Sequence, residues 1–76
     1  MSIFDQQLGR VLADARRRAG LSQEALAGKA KLHPTYISQL ERGLKSPTVR
    51  VLVTIANACG TTASEILRET EELVTF

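Results

Sequence analysis

At 76 residues the chain can form one domain with a single hydrophobic core, and a second core would not fit. Its one cysteine excludes a disulfide framework and a cysteine-based metal site, and no apolar run approaches the ~20 residues that span a bilayer. The net charge of +2 is unevenly placed: residues 1–50 carry nine basic and four acidic residues, whereas residues 51–76 carry one and four, so the first half suits a phosphate-facing surface.

The first predicted helix extends from Asp5, a suitable N-cap, to Ala19. Apolar residues recur along it at i, i+3, i+4 and i+7, which predicts one inward-facing stripe. The stripe consists of Leu8, Val11, Leu12 and Ala15. Arginines at positions 16–18 suit the negative end of the helix dipole, and Gly20 supplies the left-handed residue that ends the helix. Ser22 then caps the second helix.

Residues 22–43 have the pattern of two short helices joined by a tight turn, which is a helix-turn-helix unit. A positive φ is expected in the turn at Lys31, a residue that accepts it less easily than glycine does. The third helix begins at Pro34, because a proline at the first helical position loses no hydrogen bond. His33 is an imperfect cap for this helix, and Gly43 ends it, so the helix covers residues 34–42.

The third helix has one polar face, opposite the apolar residues Ile37 and Leu40. Side chains on that face can hydrogen-bond base edges, or touch a thymine methyl group, in a DNA major groove. The candidates for reading bases are Thr35, Tyr36, Ser38 and Gln39. An ordinary solvated helix face, with Tyr36 partly packed on its neighbours, is the alternative.

The fourth helix repeats the same arrangement, with Ser46 as the N-cap, Pro47 at the first position and Gly60 at the end. Val49 and Val53 lie on its flanks. Its buried stripe is expected to contain Leu52, Ile55, Ala56 and Cys59.

The fifth helix begins after Thr62, which has the capping-box spacing to Glu65. It is expected to fray after Glu69, and residues 70–76 can either extend the helix or form a strand. The sequence thus predicts an all-α fold, a compact five-helix domain that occupies residues 1–76.

With these parts laid out, the chain resembles the phage-repressor and Cro-like helix-turn-helix family, also called the xenobiotic-response-element family. The similarity extends from about Leu8 to Leu67, through LGRVLADARRRAGLSQEALA, YISQLERG, SPTVRVLVTIANACG and a capped final helix. Phage Cro proteins and the controller proteins of restriction–modification operons are short members of this family. The chain departs from the family at Lys31, where glycine or another residue at ease with a positive φ is usual, and the strain there would be on the order of 1 kcal/mol.

The resemblance implies a docking geometry in which the first helix of the motif crosses the DNA backbone and the second enters the major groove. Gln39 could then pair with an adenine edge. Gln23, beside the free N–H groups that open the second helix, suits a phosphate. The full set of predicted phosphate contacts is Gln23, Arg42, Lys45 and Ser46. Solvated charge is the better interpretation for Arg10, Arg17 and Lys29.

Two further features follow from the resemblance. Arg16 and Glu41 are expected to form a salt bridge that joins the first helix to the end of the recognition helix. Family dimers commonly join through the last helix, which makes residues 62–76 the candidate dimerisation segment. Its interface candidates are Ile66, Leu67, Leu73, Val74 and Phe76, unless the tail folds back onto its own core.

No catalytic or ligand-binding constellation is visible in the sequence. Cys59 lacks the histidine and acid neighbours of a nucleophile, and His33 has no companions for a metal site. We therefore expect no enzyme activity, metal, cofactor or small-molecule ligand. The favoured function is a cytoplasmic, homodimeric transcription regulator that binds a near-palindromic site in double-stranded DNA. The alternative is an antitoxin-type module that binds a partner protein through its C-terminal segment.

Overall fold

Five α-helices account for most of the chain in the computed structural model, which describes residues 2–74. No strand occurs between these two residues, so the predicted all-α class is confirmed. The helices are α1 (Ile3–Arg18), α2 (Gln23–Ala30), α3 (Pro34–Glu41), α4 (Val49–Ala58) and α5 (Ala63–Leu73).

The start of α1 differs from the predicted one because a different residue caps it. The Ser2 hydroxyl accepts a hydrogen bond from the backbone N–H of Asp5 at 3.0 Å, so the helix begins at Ile3 and Asp5 lies inside its first turn. The helix ends at Arg18, one residue earlier than predicted, with Ala19 at the C-cap.

The helix-turn-helix unit has the predicted local structure. Ser22 caps α2 by accepting from the backbone N–H of Ala25 at 3.0 Å, and Lys31 follows the helix with a φ of 57°. The ring nitrogen Nδ1 of His33 accepts from the backbone N–H of Thr35 at 3.1 Å, with Pro34 at the first helical position. The helix itself ends at residue 41, one residue short of the predicted range.

The predicted start of α4 is wrong. Thr48, not Ser46, caps this helix: its hydroxyl accepts from the backbone N–H of Val51 at 3.1 Å. Pro47 therefore lies outside the helix. The Ser46 hydroxyl is not available as a cap because it donates a hydrogen bond to the carboxylate of Asp5.

Helix α5 starts as predicted, since Thr62 accepts from the backbone N–H of Glu65 at 3.1 Å. It extends to Leu73, however, beyond the residue where fraying was expected. Thr70 stabilises this extension because its side chain is fully buried and its hydroxyl donates to the carbonyl of Ile66 at 2.8 Å. Arg68 adds exposed ion pairs to carboxylates on both sides of it along the helix.

The core draws on all five helices, with α1 packed against α3 and α5. The large apolar side chains that are at most 2% exposed are Leu12, Leu26, Ile37, Leu40, Ile55 and Ile66. Cys59, expected in the buried stripe of α4, is instead half-buried at the C-cap of that helix. Burial raises the pKa of its thiol, which favours the protonated form.

A close contact between α1 and the end of α3 depends on Gly9. A Cβ at this position would lie 2.4 Å from the carbonyl oxygen of Glu41 and 2.6 Å from that of Leu40. Both neighbours are backbone atoms, which cannot move aside as a side chain can. Glycine at this position therefore sets how closely α3 approaches α1, and with it the position of α3 in the domain.

Candidate nucleic-acid interface

Helix α3 presents the two faces that the sequence predicts. Ile37 and Leu40 are 1% and 2% exposed, respectively, and belong to the core. On the other side Thr35 is exposed, and Ser38 and Gln39 are partly exposed. Tyr36 is also partly exposed while it packs against the core. All four candidate base-reading residues are therefore on one helix, and the fold does not seal any of them inside.

The C-terminal end of α3 is tied to α1 by a bidentate ion pair. The Nε and Nη2 atoms of Arg16 lie 2.7 and 2.9 Å from the two carboxylate oxygens of Glu41, and Nη1 donates to the carbonyl of Leu21 at 3.0 Å. The two side chains are only 11% and 7% exposed. Hydrogen bonding to Glu41 raises the pKa of Arg16. The salt bridge that the resemblance implied is thus present, and both of its side chains are largely buried.

Gln23 joins the same network, which the sequence did not reveal. Its side-chain nitrogen donates to Oε1 of Glu41 at 3.0 Å and so links the start of α2 to the end of α3. This bond uses one of the two amide hydrogens, and the second makes no hydrogen bond within residues 2–74. A phosphate contact by Gln23 remains a prediction. The residue also has a structural role, because it links α2 to α3.

The other three predicted phosphate contacts follow α3. Arg42 and Lys45 are exposed, and neither forms an ion pair with another residue between positions 2 and 74. Ser46 is different, because it donates its hydroxyl proton to Asp5. That hydrogen bond lowers the pKa of the Asp5 carboxyl group, which keeps a negative charge beside Ser46. A phosphate contact by the Ser46 hydroxyl would require this bond to break.

The predicted dimer interface needs one correction. Ile66 is 0% exposed and packs inside the core of its own domain, so it cannot contact a second copy. Leu67 is partly buried against that core, Val74 is partly exposed, and Leu73 is 50% exposed. Phe76 lies outside the described residues. Among the described residues, the predicted dimer interface is therefore limited to Leu67, Leu73 and Val74, in the last turns of α5 and just after it.

Within residues 2–74 no three histidine, cysteine or acidic side chains come together as metal ligands would. None of the helices in this part of the chain combines the length and apolar character that a membrane crossing requires. His33, the single histidine, serves as the cap of α3.

The family model of the helix-turn-helix domain matches residues 7–69. The chain belongs to the helix-turn-helix domain family. A relative described as an uncharacterized HTH-type transcriptional regulator, y4dJ of Sinorhizobium fredii, is 37% identical over 65 residues, covering 86% of this chain and 84% of its own. The control protein C.BamHI of Bacillus amyloliquefaciens is 36% identical over 50 residues, covering 66% and 62% of the two chains. The names of these relatives agree with the predicted class, a DNA-binding helix-turn-helix regulator of transcription.

Solved structures of helix-turn-helix proteins have the same fold. The clp gene regulator ClgR of Corynebacterium glutamicum superposes with a TM-score of 0.86 at 29% identity, covering 91% of this chain and 88% of its own. The restriction–modification controller C.AhdI of Aeromonas hydrophila gives 0.77 at 30% identity, covering 80% and 92%. The controller C.Esp1396I gives 0.84 at 26%, covering 95% and 94%. The resemblance inferred from the sequence is therefore confirmed.

Proposed function

We propose that this helix-turn-helix protein is a homodimeric regulator of transcription that binds a near-palindromic operator in double-stranded DNA. The observation that supports it most directly is the exposure of the polar face of α3 above a buried apolar face. A helix of this kind can enter the major groove without any rearrangement of the core.

Base reading is assigned to the polar face of α3. Thr35 is exposed in the first turn, where recognition helices of this class approach base edges. Gln39 lies about one turn further along and has the amide group that pairs with the N6 and N7 atoms of adenine. Tyr36 and Ser38 complete the set, with a phenol ring and a hydroxyl group that suit a methyl group or a polar edge.

Backbone contacts are assigned to the residues that flank α3. Arg42 and Lys45 are exposed cations just after the helix, in positions to meet the strand beside the groove. Gln23 contributes its free amide hydrogen at the start of α2. Such contacts set the register of the protein on DNA and carry no sequence information of their own.

The proposed dimer interface is the end of α5. Leu73 is half exposed, Val74 follows it with partial exposure, and Leu67, six residues earlier on the same helix, is also partly exposed. A two-fold axis through this segment would give two copies of α3, spaced about 34 Å apart on one face of the DNA. The operator would then be a pair of inverted half-sites. The protein would act on DNA in the cytoplasm. Occupancy of the operator would be controlled by the protein concentration and by dimerisation.

Selection of bound duplexes from a random pool tests this function. We expect a consensus with two inverted half-sites about 10 base pairs apart, centre to centre. Sedimentation at rising protein concentration should show dimers, and Leu73→Glu should shift them to monomers that bind DNA more weakly. A pool without any preferred sequence would overturn the proposal, and a strictly monomeric protein with a single half-site would overturn its dimeric part.

The partner-binding alternative has no specific observation behind it. The C-terminal segment that would bind the partner consists largely of α5, and the inner side of this helix packs in the core of the domain. A steep salt dependence of duplex binding would separate the two functions, because only phosphate contacts release counterions.

A further inference from the structure

A polar cavity of about 450 Å³ lies where α1 meets the start of α2 and the end of α3. Its lining contains four arginines and two carboxylates, a formal charge of +2. The four arginines are Arg10, Arg16, Arg17 and Arg42. Gln23 also lines the cavity. The lining therefore combines two predicted phosphate contacts, Gln23 and Arg42, with two arginines, Arg10 and Arg17, that were expected to be solvated charges.

The floor of this cavity is electrically neutral. Both carboxylate oxygens of Glu41 accept hydrogen bonds from Arg16, and one of them also accepts from Gln23. The acidic charge at the floor is therefore cancelled by a buried partner. The positive excess belongs to the other arginines of the lining, which stand at its edge.

The arginines at the edge are held only weakly. Arg17 lies 3.5 Å from Asp14, but both side chains are about two-thirds exposed, at 65% and 66%. Exposed pairs of this kind contribute little to stability and are easily broken. Arg10 donates to Gln7 in a long bond of 3.3 Å, and Arg42 makes no ion pair with any described residue. All three guanidinium groups can therefore turn toward an anion.

We propose that this cavity binds a phosphate group of the operator backbone, with Arg10 and Arg17 of α1 as two of its ligands. Guanidinium forks match the geometry of phosphate oxygens, and three of them around one cavity supply several donors. Gln23 opens the helix that crosses the DNA backbone in this docking geometry, which places the cavity beside the strand. The inference rests on the proposed function, because it adds α1 to the surface that contacts the operator.

The salt dependence of operator binding tests the proposal. Arg10→Gln and Arg17→Gln should each make the slope of log K against log salt less steep, and the double variant should reduce its steepness by about 0.9, the value for one phosphate contact. Over a tenfold fall in salt concentration, the advantage of the wild type over the double variant then grows about eightfold. The loss should be equal on operator and non-operator duplexes, because a phosphate carries no sequence information.

Arg18→Gln is the matched control. Arg18 is on the same helix but turns toward α5, where it pairs with Glu69 at 3.4 Å. The slope of log K against log salt for Arg18→Gln should equal that of the wild type. Asp14→Asn provides a test of opposite sign: removing the carboxylate beside Arg17 should strengthen binding to every duplex and leave the melting temperature almost unchanged. Unchanged slopes for both Arg10→Gln and Arg17→Gln, in a wild-type protein that binds its operator, would overturn the proposal.

Free inorganic phosphate has the same chemistry as the backbone, so a second experiment separates the two sources. Phosphate is titrated into the protein without DNA, against chloride at equal ionic strength, and the melting temperature is followed. The proposal expects no saturable shift at millimolar phosphate. A saturable shift that Arg10→Gln abolishes, together with unchanged salt slopes on DNA, would assign the cavity to a free anion instead. A wild type that binds no duplex selectively would refute the proposed function itself.

Discussion

The two ends of α3 are held in opposite ways. At the C-terminal end, Glu41 is locked by three hydrogen bonds from Arg16 and Gln23, and Gly9 lies directly against the backbone. At the N-terminal end, Thr35 is exposed, and the hydrogen bonds that close the first turn are local ones to His33, from the backbone N–H groups of Thr35, Tyr36 and Ile37. The fold thus fixes the C-terminal end of the helix and leaves exposed the end that the proposed function assigns to the major groove.

This difference shows how a small domain can be stable and still present a reading surface. The anchored end combines a largely buried ion pair with close backbone contact, so it tolerates little change. The open end depends on a tight turn and on helix capping, which constrain its backbone but leave its side chains free. Substitutions at the two ends should therefore separate stability from DNA recognition.

The largest effect is expected at the anchored end, for Arg16→Met. The change leaves the Glu41 carboxylate buried without its cation, which should destabilise the domain by about 3–5 kcal/mol. Urea unfolding followed by circular dichroism measures it. The double variant with Glu41→Leu should recover much of the loss. A double-mutant cycle with near-zero coupling would show that the pair does not hold α3.

Gly9→Ala should be the next most damaging change. The added methyl group would collide with two backbone carbonyl oxygens, and overpacking of this kind costs about 1–3 kcal/mol. Gly28→Ala is the matched control, since a Cβ there meets nothing within 4 Å. It should stabilise α2 by about 0.5–1 kcal/mol. Melting temperatures of the two variants should thus move in opposite directions from that of the wild type, and equal shifts would contradict the close contact.

At the open end, Gln39→Ala should affect recognition rather than stability. Loss of a bidentate contact to adenine should reduce discrimination between operator and altered half-sites by about 1–3 kcal/mol. Competition binding with single-base operator variants measures this, and Tyr36→Ala should act in the same direction. Lys45→Ala is the control, because a phosphate contact should weaken all duplexes alike. Equal losses on every duplex for Gln39→Ala would remove its assigned role.

The smallest effect is expected in the turn between α2 and α3, for Lys31→Gly. The change relieves about 1 kcal/mol of left-handed strain but gives the unfolded chain more freedom, so the net gain should stay below about 1 kcal/mol. A rise in melting temperature of a few degrees, with operator affinity unchanged, would fit this account. A fall would mean that the lysine side chain contributes contacts of its own.

Much of the fold could be predicted because its signals are local. Apolar spacing, serine and threonine caps, and glycines at helix ends fixed the order of all five helices, including the left-handed Lys31. The errors occurred where two candidate caps compete: Ser2 against Asp5, and Thr48 against Ser46. The choice depends on tertiary contact, since Ser46 bonds to a residue 41 positions earlier in the chain.

The site was predictable in part, for the same reason. The polar face of α3 follows from helical spacing alone, and the Arg16–Glu41 pair came from family resemblance. The link from Gln23 to Glu41, the contact of Gly9 and the arginines around the cavity could not be read from the chain. Each of these joins residues from different helices, and no local pattern encodes such distances.

The loop after α3 rests on the first turn of α1. Ser46 donates to Asp5, and a Cβ on Gly43 would lie 3.0 Å from the Cα of Gln6. Opening of that first turn would therefore release the loop as well, so the two segments should form one cooperative unit. In hydrogen–deuterium exchange their amides should share a single opening free energy, lower than that of the core.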